Sequence, residues 1–468
     1  MSVEATIGAT SEGSMEVVAG SSVPTPAQTL RWLRAAAGPR VGIAATVAIP
    51  LLGLLLCMAG TRTPVLVPQS IALWPLVSGM AGPLKYVGLS LSIGEVAAML
   101  IALVAAYLAA IRYADQVPAR VTIWAIAAFT LIVLIGPPLF STDVFSYQAY
   151  ARMFAHYHIN PYVHGPDTIQ LDPIYNYVGA KWIATPSVYG PLFTFLSAVF
   201  AMTSVAFNEF AFKLIAAAAS AGTMALIWRA APRRGVSPAR GVALFGLNPL
   251  VTLYGVGGGH NDMLMLLLST AGVYATIVRR DRGAGALITT SAAVKLTGAI
   301  VLPFALLSDA AHDRTRWRRF IAGTVAVTVV VAAASYIAFG TGVLQLPGTL
   351  QTVQSEGAWQ SLPGAIFSLA RLPVAPAVRF GDEALVAGSS LWLLWRVWKG
   401  RLDWIEAAAW ATFMVLATAW ALLPWYACWL MPLVALTSNR RLWQVATVAT
   451  MMCSAIMIAN CFPNLNWL

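Results

Sequence analysis

The chain is poor in charged residues, and this scarcity determines its class. Only 10% of its 468 residues are Asp, Glu, Lys or Arg, whereas 59% are hydrophobic. A soluble domain of this size cannot bury so large an apolar fraction in one core. The sequence therefore predicts a polytopic membrane protein. Its net charge of +11 comes largely from short basic clusters between apolar runs, as in cytoplasmic loops, so we do not expect nucleic acid as a partner.

The chain also lacks the motifs of several other protein classes. Its four cysteines lie in or beside apolar runs and form no CxxC pair, so we expect neither disulfides nor a zinc site. No GxGxxG follows a predicted strand and no Walker loop occurs, so a nucleotide-binding domain is not recognisable. The sequence therefore predicts no cofactor.

The amino-terminal segment has no basic residue before Arg31, so it lacks the basic region of a signal peptide. It is rich in Ser, Thr, Gly and Pro, and we predict that residues 1–35 form a disordered cytoplasmic tail. Residues 36–468 are predicted to form a single membrane domain. The basic patch "RWLRAAAGPR" precedes the first span and favours a cytoplasmic amino terminus.

A helix needs about 20 apolar residues to cross the hydrocarbon core of a membrane. Helices satisfy their own backbone groups in lipid, so the expected fold is all-α, a bundle of about 11–13 transmembrane helices. The segment 64–84, with its prolines and glycines, is predicted to be interfacial or re-entrant. The predicted spans lie near 41–59, 89–112, 121–140, 187–204, 208–229, 241–256, 261–278, 285–308, 320–340, 382–398, 404–422, 424–437 and 441–459.

Most basic loops agree on one orientation. "RYADQVPAR", "RTRWRR", "RVWKGR" and "NRR" are all cytoplasmic if the amino terminus is cytoplasmic, which makes 141–186 and 341–381 external. Five spans between 186 and 309 would instead put "PRRGVSPAR" and "RRDRG" outside, against the positive-inside rule. A re-entrant pair in place of span 285–308, together with a 187–204 helix that does not cross, would return both loops to the cytoplasm. The sequence leaves both topologies open, and with them the side that "GGGHND" faces.

The first external loop, 141–186, is predicted to begin with a helix on the membrane surface. An acidic residue at the end of a span is costly unless it meets water, a partner or a substrate, so Asp143 is a candidate catalytic residue. The alternative is that Asp143 only favours the start of a helix, beside a capping Ser141 or Thr142. Aromatic and polar residues recur at helical spacing with it, and the tyrosines also fit an interfacial belt: Tyr147, Tyr150, Phe154, Tyr157, Arg152 and His156.

Further polar and aromatic residues lie at span boundaries. The histidines at 156, 158 and 164 are not spaced for chelation, so we expect no metal site. Lys295 stands within an apolar run, where an amine must pair with an anion, snorkel or line a cavity. The candidate binding residues are Asn160 and Tyr162 of "NPY", Tyr189 of "SVYGPL", His260, Asn261 and Asp262 of "GGGHND", Lys295, and Trp425 and Tyr426 of "LLPWYACWLMP".

Taken in order, these motifs resemble those of the GT-C glycosyltransferases. Within that superfamily the chain is most similar to the actinobacterial MptA/MptB family of polyprenol-phosphate-mannose-dependent α-1,6-mannosyltransferases. The resemblance covers about residues 85 to 460. It implies a multi-pass plasma-membrane enzyme that moves mannose from a polyprenyl-phosphate donor to a lipomannan-type glycolipid or glycan on the external face.

The resemblance also implies roles for individual residues. Asp143 would be the general base on the acceptor hydroxyl, in a metal-independent, inverting reaction. Lys181, Arg152, His156 or Lys295 would neutralise the phosphate that leaves. Many enzymes of the superfamily have two adjacent acids in this loop, whereas "STDVF" supplies one, so Asp262 is a candidate for the second if it faces outward.

Two other kinds of function fit the residues. Within the enzymes, a GT-C arabinofuranosyltransferase or a protein O-mannosyltransferase is the alternative, because no residue distinguishes mannose from arabinose. Outside the enzymes, a secondary transporter or lipid flippase would also use broken helices near charges within the membrane. A transporter is expected to have related halves, and the sequence has no convincing internal repeat.

Overall fold

The computed structural model of the chain describes residues 26–67, 80, 82–308, 313–355, 361–371 and 376–462. These residues are almost entirely helical and include no β-strand, which confirms the all-α expectation. The helices are α1 Pro26–Ala59, α2 Ile93–Arg112, α3 Ala119–Ile135, α4 Asp143–Ala155, α5 Pro191–Ala198, α6 Val205–Ala230, α7 Pro238–Gly246, α8 Asp262–Ile277, α9 Asp281–Val294, α10 Val301–Leu306, α11 Arg314–Phe339, α12 Leu346–Ser355, α13 Leu362–Leu369, α14 Pro376–Trp398, α15 Trp404–Thr418, α16 Met431–Val434 and α17 Arg440–Ala459.

Five helical stretches of the described chain are long and apolar enough to cross a membrane. Shorter apolar helices, among them α3, α8 and α15, add to the bundle. The protein is therefore a polytopic helical membrane protein, as its composition predicts. The five long stretches are Gly38–Ala59, Ile93–Arg112, Val205–Arg234, Arg314–Ser355 and Arg440–Ala459.

Two predicted segments fall largely outside the described residues. Residues 1–25, most of the predicted tail, are outside them, and α1 begins at Pro26, so residues 26–35 are helical. Of the predicted interfacial segment 64–84, residues 68–79 and 81 are outside them. Short 3-10 turns occupy its two ends, at Pro64–Leu66 and Gly82–Tyr86.

Four of the predicted spans are not continuous helices. Span 187–204 contains only α5, with 8 residues, which is too short to cross. Span 241–256 changes from α7 to a π-helical turn at Leu250–Val256, just after Pro249. Span 285–308 breaks at Lys295, whose backbone is extended. Span 424–437 is a 3-10 turn at Pro424–Trp429 followed by the short α16. Irregular backbone at membrane depth is tolerated where it is buried in protein or lines a cavity.

The basic loops converge at one end of the bundle. Ser237, in the loop after α6, donates to Asp115, in the loop after α2. Arg234 pairs with Asp403 at 2.8 Å, which joins that loop to the start of α15. Of the two topologies that the sequence leaves open for residues 186–309, this contact favours the one without five spans, because "PRRGVSPAR" shares this end with 112–120.

The second disputed loop lies at the same end. Arg316, in the first turn of α11, pairs with Asp281 of "RRDRG" at 2.9 Å. The positions of both loops agree with the topology in which span 187–204 does not cross and span 285–308 is a re-entrant pair. Helix α5 does not cross, and the chain reverses at Lys295, so both loops return to the end that holds the other basic clusters.

Glycine lets α9 and α11 pack with their backbones close together. A methyl group on Gly285 would collide with the carbonyl oxygen of Phe320, and one on Gly323 would collide with the carbonyl oxygen of Arg282. Small residues at such crossings are the common means of tight helix packing in membranes. The crossing fixes α9, and α9 carries Lys295 at its end.

We predict that Gly285→Ala lowers the midpoint of thermal unfolding of the detergent-solubilised protein. The added methyl overpacks the crossing, and overpacking typically costs about 1–3 kcal/mol. Gly283→Ala is the matched control, since open space surrounds Gly283 on the same helix. Equal midpoints for the two variants would contradict the close crossing.

Candidate active site

Asp143 begins α4 directly after the break that ends α3. Its backbone N–H donates to Ser141 Oγ at 3.2 Å, which fixes the start of the helix. Its side chain is 14% exposed and turns to another segment, with Oδ2 3.4 Å from Nδ1 of His260. Asp143 therefore does more than start a helix: it contacts the "GGGHND" segment.

A buried ion pair holds the backbone that leads to Asp143. Lys213 Nζ, on α6, donates to the carbonyl oxygen of Gly136 at 2.7 Å and lies 3.1 Å from Glu209 Oε1. The last carbonyls of a helix have no partner within the helix, so this amine satisfies one of them. Two residues before Ser141, Leu139 N–H donates to the carbonyl oxygen of Gly257 at 3.2 Å. These contacts set the distance between the Asp143 loop and "GGGHND".

His260 is held between the glycine turn and an aromatic ring. Gly259 has φ +63, a conformation that favours glycine. The imidazole stacks on Trp425 with ring centroids 4.0 Å apart. Neither ring nitrogen of this buried residue has a well-aligned hydrogen bond to the described chain. The 3.4 Å contact with Asp143 is therefore mainly electrostatic.

Asp262 and Lys295 form a buried ion pair beside this turn. Lys295 Nζ lies 2.8 and 2.9 Å from the two carboxylate oxygens of Asp262. Trp429 Nε1 donates to Oδ1 of the same carboxylate at 2.6 Å. The ammonium also lies 4.8 Å from the ring centroid of Tyr426 and 5.3 Å from that of Trp429. Because Asp262 is fully buried and both its oxygens are engaged, it serves as the counter-ion of Lys295.

Asp143 and Lys295 line one cavity of about 720 Å³. The cavity is lined on the side of these two residues by aromatic rings, including Tyr189, Tyr426 and Trp429. It continues to α12, α14 and the segment after α15, where its lining is partly polar: Gln354, Arg379, Asp382, Glu383 and Trp420. Among the described residues, no three His, Cys, Asp or Glu side chains converge as ligands for a metal ion.

Comparison with known proteins assigns the chain to a family. Residues 39–311, more than half of the chain, match the family described as "Alpha-(1->6)-mannopyranosyltransferase, N-terminal domain". The chain belongs to this family. No solved structure matches it.

The curated relatives carry corresponding names. Alpha-(1->6)-mannopyranosyltransferase A of Mycobacterium tuberculosis is 28% identical over 331 residues, which cover 66% of this chain and 63% of the relative. Alpha-(1->6)-mannopyranosyltransferase B of Corynebacterium glutamicum is 24% identical over 368 residues, 69% of this chain and 60% of the relative. The chain thus spans less than two thirds of the length of these relatives.

Several residues predicted to bind substrate do not reach the cavity of this family member. Arg152 pairs with Asp172 at 2.6 Å and donates to the carbonyl oxygen of Ala201 at 2.9 Å. Its charge and its donors are thereby used to fold the 141–186 loop and to hold it against the segment after α5. His156 is exposed and lies edge-on against Tyr157, with ring centroids 4.6 Å apart. Neither cation lines the cavity.

The residues of "NPY" are also structural. Asn160 Nδ2 donates to the carbonyl oxygen of Phe339 at 2.6 Å, which ties the loop to the end of α11. Tyr162 is fully buried and donates to the carbonyl oxygen of Tyr189 at 3.0 Å. It therefore positions Tyr189, which does line the cavity.

Tyr147 and Asn261 lie behind the cavity and contact each other. The backbone N–H of Asn261 donates to the Tyr147 hydroxyl at 3.2 Å. The Tyr147 ring packs edge-on against Tyr189, 4.8 Å between centroids. The amide side chain of Asn261 is buried and has no hydrogen-bond partner in the described chain. Like the ring nitrogens of His260, these polar atoms lie behind the cavity lining and not in it.

Sequence reasoning did not predict the contact of Trp429 with Asp262, or the polar lining that α14 supplies. Trp429 stands four residues after Trp425, and the aromatic-belt reading hid its contact with Asp262. Arg379, Asp382 and Glu383 did carry a signal, because charged residues at the start of an otherwise apolar helix usually face a cavity or the bundle interior. The predicted boundary at residue 382 instead places Arg379 in the predicted external loop 341–381 and the two acids in the predicted span 382–398.

The surroundings of Asp143 favour its ionised form. Burial acts to raise the pKa of the carboxyl, but the interaction with His260 and the charge of Lys295 outweigh it. The pKa of Asp143 therefore lies below its ordinary value of 3.8. Its ionised form stabilises the fold above that pH, and this contribution is lost as the pH falls through the lowered pKa.

We predict that His260→Gln raises the pKa of Asp143. Burial raises this pKa, and the interaction with His260 is the largest of the contributions that lower it. The loss of stability in acid should begin at higher pH, which the unfolding midpoint measured against pH in detergent would show. The same substitution in an Asp143→Asn background is the control for effects of losing the imidazole that do not act through Asp143. If His260→Gln shifted the pH at which stability is lost in acid by the same amount in both backgrounds, the interaction of His260 with Asp143 would be contradicted.

Proposed function

We propose that the protein transfers mannose from polyprenyl-phosphate-mannose to a lipomannan-type acceptor, with inversion and formation of an α-(1→6) linkage. The observation that carries the proposal is the cavity that Asp143 and Lys295 share. It offers an ionised carboxylate for a hydroxyl group and a cation for a phosphate. The names of the relatives favour mannose over arabinose.

Lys295 is suited to the donor phosphate. An ammonium group carries three N–H donors, and Asp262 receives two of them at 2.8 and 2.9 Å. The third is left for an anion in the cavity, where Lys295 is 13% exposed. Asp262, Tyr426 and Trp429 hold the amine in place. We assign the donor's phosphate to this end of the cavity.

Asp143 is suited to act as general base in a single displacement. The acceptor oxygen attacks the anomeric carbon while the bond from that carbon to the phosphate oxygen breaks. The hydroxyl proton passes to the Asp143 carboxylate, and polyprenyl phosphate leaves with the electron pair and an additional negative charge. Lys295 stabilises that charge, which is a task that a metal ion has in many other transferases. One displacement inverts a β-linked donor to an α-linked product.

We assign the acceptor to the end of the cavity formed by α12, α14 and Trp420. Asp382 Oδ2 accepts from Trp420 Nε1 at 2.9 Å, and Arg379 lies 5.0 Å over the Trp420 ring. Gln354 Oε1 accepts from the backbone N–H of Trp420 at 3.0 Å. Indole, carboxylate and guanidinium groups held in fixed geometry suit a sugar, which has both apolar faces and hydroxyl groups.

We further propose that the cavity opens to the exterior of the plasma membrane. The basic loops converge at the end of the bundle opposite the cavity, and the positive-inside rule makes that end cytoplasmic. A lipid-linked donor then reaches the site laterally from the outer leaflet. Nothing in this proposal requires a nucleotide.

We predict that Asp143→Asn lowers mannosyl transfer by about 10² to 10⁴-fold, the usual contribution of a general base. The assay is incubation of membranes that contain the protein with labelled polyprenyl-phosphate-mannose and a mannoside acceptor. Asp167→Asn is the matched control, since Asp167 is an acid of the same loop outside the cavity lining. Full activity of Asp143→Asn would remove this residue as the base.

The same assay with EDTA tests whether Lys295 takes the place of a metal. We expect transfer to continue in EDTA, and Lys295→Gln to lower kcat. Transfer that stops in EDTA and returns with a divalent cation would contradict the metal-independent reaction but leave Asp143 as base.

We predict opposite accessibility for two introduced cysteines. The four native cysteines are buried. Leu171→Cys, in the external loop, should react with a membrane-impermeant maleimide on intact cells, because the Leu171 side chain is fully exposed. Arg282→Cys, in "RRDRG", should react only after permeabilisation. The reverse pattern would place the cavity in the cytoplasm.

A further inference from the structure

A second pocket lies at the basic end of the bundle. Its volume is about 170 Å³, and its lining includes Arg233, Arg234, Arg279 and Arg316. Asp262 and Arg279 lie at opposite ends of α8, about 25 Å apart along the helix axis at 1.5 Å per residue. The pocket is therefore separate from the cavity of Asp143, and nothing in the proposed transfer reaction uses it.

Among the described residues, the four arginines outnumber the carboxylates with which they pair. Arg234 pairs with Asp403 at 2.8 Å, and Arg316 pairs with Asp281 at 2.9 and 3.1 Å. Within the described ranges, Arg233 and Arg279 have no carboxylate at ion-pair distance. Arg233 instead donates to the carbonyl oxygen of Arg229 at 2.6 Å. Bringing together guanidinium groups from separate loops is unfavourable unless an anion compensates them.

Arg279 occupies a backbone position that normally belongs to glycine. It ends α8 with φ +59, and the N–H of Arg280 donates to the carbonyl oxygen of Ala275 at 2.8 Å. This is the helix ending in which glycine avoids the steric cost of a side chain. A side chain at such a φ costs roughly a fold-change of ten in the folding equilibrium. The strain is compensated if the guanidinium has a ligand in the pocket.

We propose that this pocket binds the phosphate group of a phosphomonoester. Guanidinium groups present paired N–H donors that match phosphate oxygens, and basic pockets between membrane helices on the cytoplasmic side suit anionic head groups. The paired arginines, Arg234 and Arg316, are fixed by their aspartates and shape the pocket. Arg233 and Arg279 supply the excess positive charge. The phosphate can come from a lipid head group or from a soluble phosphate.

The test is the unfolding midpoint of the purified full chain in lipid vesicles. Three conditions separate the sources: phosphatidylcholine alone, phosphatidylcholine with phosphatidic acid, and phosphatidylcholine with inorganic phosphate in the buffer. A ligand that binds only the folded protein raises the midpoint, and the rise grows with the logarithm of its concentration relative to its Kd. A rise with phosphatidic acid alone identifies a lipid head group, and a rise with inorganic phosphate alone identifies a soluble ligand.

Arg279→Gly is the decisive variant because it relieves the backbone strain while it removes the guanidinium. We expect its midpoint in phosphatidylcholine alone to equal or exceed that of the wild type, and its apparent affinity for phosphate to fall by about tenfold or more. Arg233→Gln should lose affinity similarly. Arg282→Gln is the control, because Arg282 is an exposed arginine of the same loop that does not line the pocket.

Three results would overturn the proposal. The first is the absence of any rise with either phosphate source in the wild type. The second is a rise that Arg279→Gly and Arg233→Gln retain in full, since the phosphate would then bind elsewhere. A loss of the rise in Arg282→Gln as large as in Arg279→Gly would also contradict it, because it would show a diffuse effect of charge.

Discussion

The ion pair between Lys295 and Asp262 is the interaction on which the arrangement of the site depends. Each charge alone would cost several kcal/mol to bury, and removal of one partner typically costs about 3–5 kcal/mol. Asp262 begins α8 after the glycine turn, and Lys295 lies at the break of span 285–308, so the pair joins these two segments. Trp429 of the interrupted span 424–437 donates to the same carboxylate at 2.6 Å. One buried carboxylate thus joins two interrupted spans to the start of α8.

The interruptions are also joined to one another through their backbones. Gly190 N–H donates to the carbonyl oxygen of Val294 at 3.0 Å, and Leu139 N–H donates to that of Gly257 at 3.2 Å. A broken helix within a membrane leaves backbone groups that water cannot satisfy. Here these irregular segments supply backbone partners for one another, which holds them close together. The cavity that Asp143 lines is the space that such clustering leaves between them.

The sequence predicted the part of the site that follows from the cost of charge in an apolar environment. Asp143, His260, Asp262 and Lys295 stand out as polar residues at or within apolar runs, and they do meet. Arg152 stands out equally in the sequence, yet carbonyl oxygens and Asp172 of its own loop satisfy it. Whether a polar side chain finds hydrogen-bond partners near it depends on how the loop folds. Hydropathy carries no information about the conformation of a loop. The break at Lys295 is hidden from the sequence for a similar reason. Hydropathy is averaged over a window of residues, so one charged residue within an apolar run does not reveal that the helix is interrupted there.

The orientation of the flanking loops was predictable even though the middle of the chain was not. A helix that fails to cross reverses the direction of everything after it, and a span that becomes a re-entrant pair reverses it again. The two changes, at 187–204 and at 285–308, therefore cancel for all residues beyond 309. Only the loops between them change sides, and these are the two that violated the positive-inside rule. The charge distribution thus favours a pair of irregular segments, and Lys295 lies at the turn of one of them.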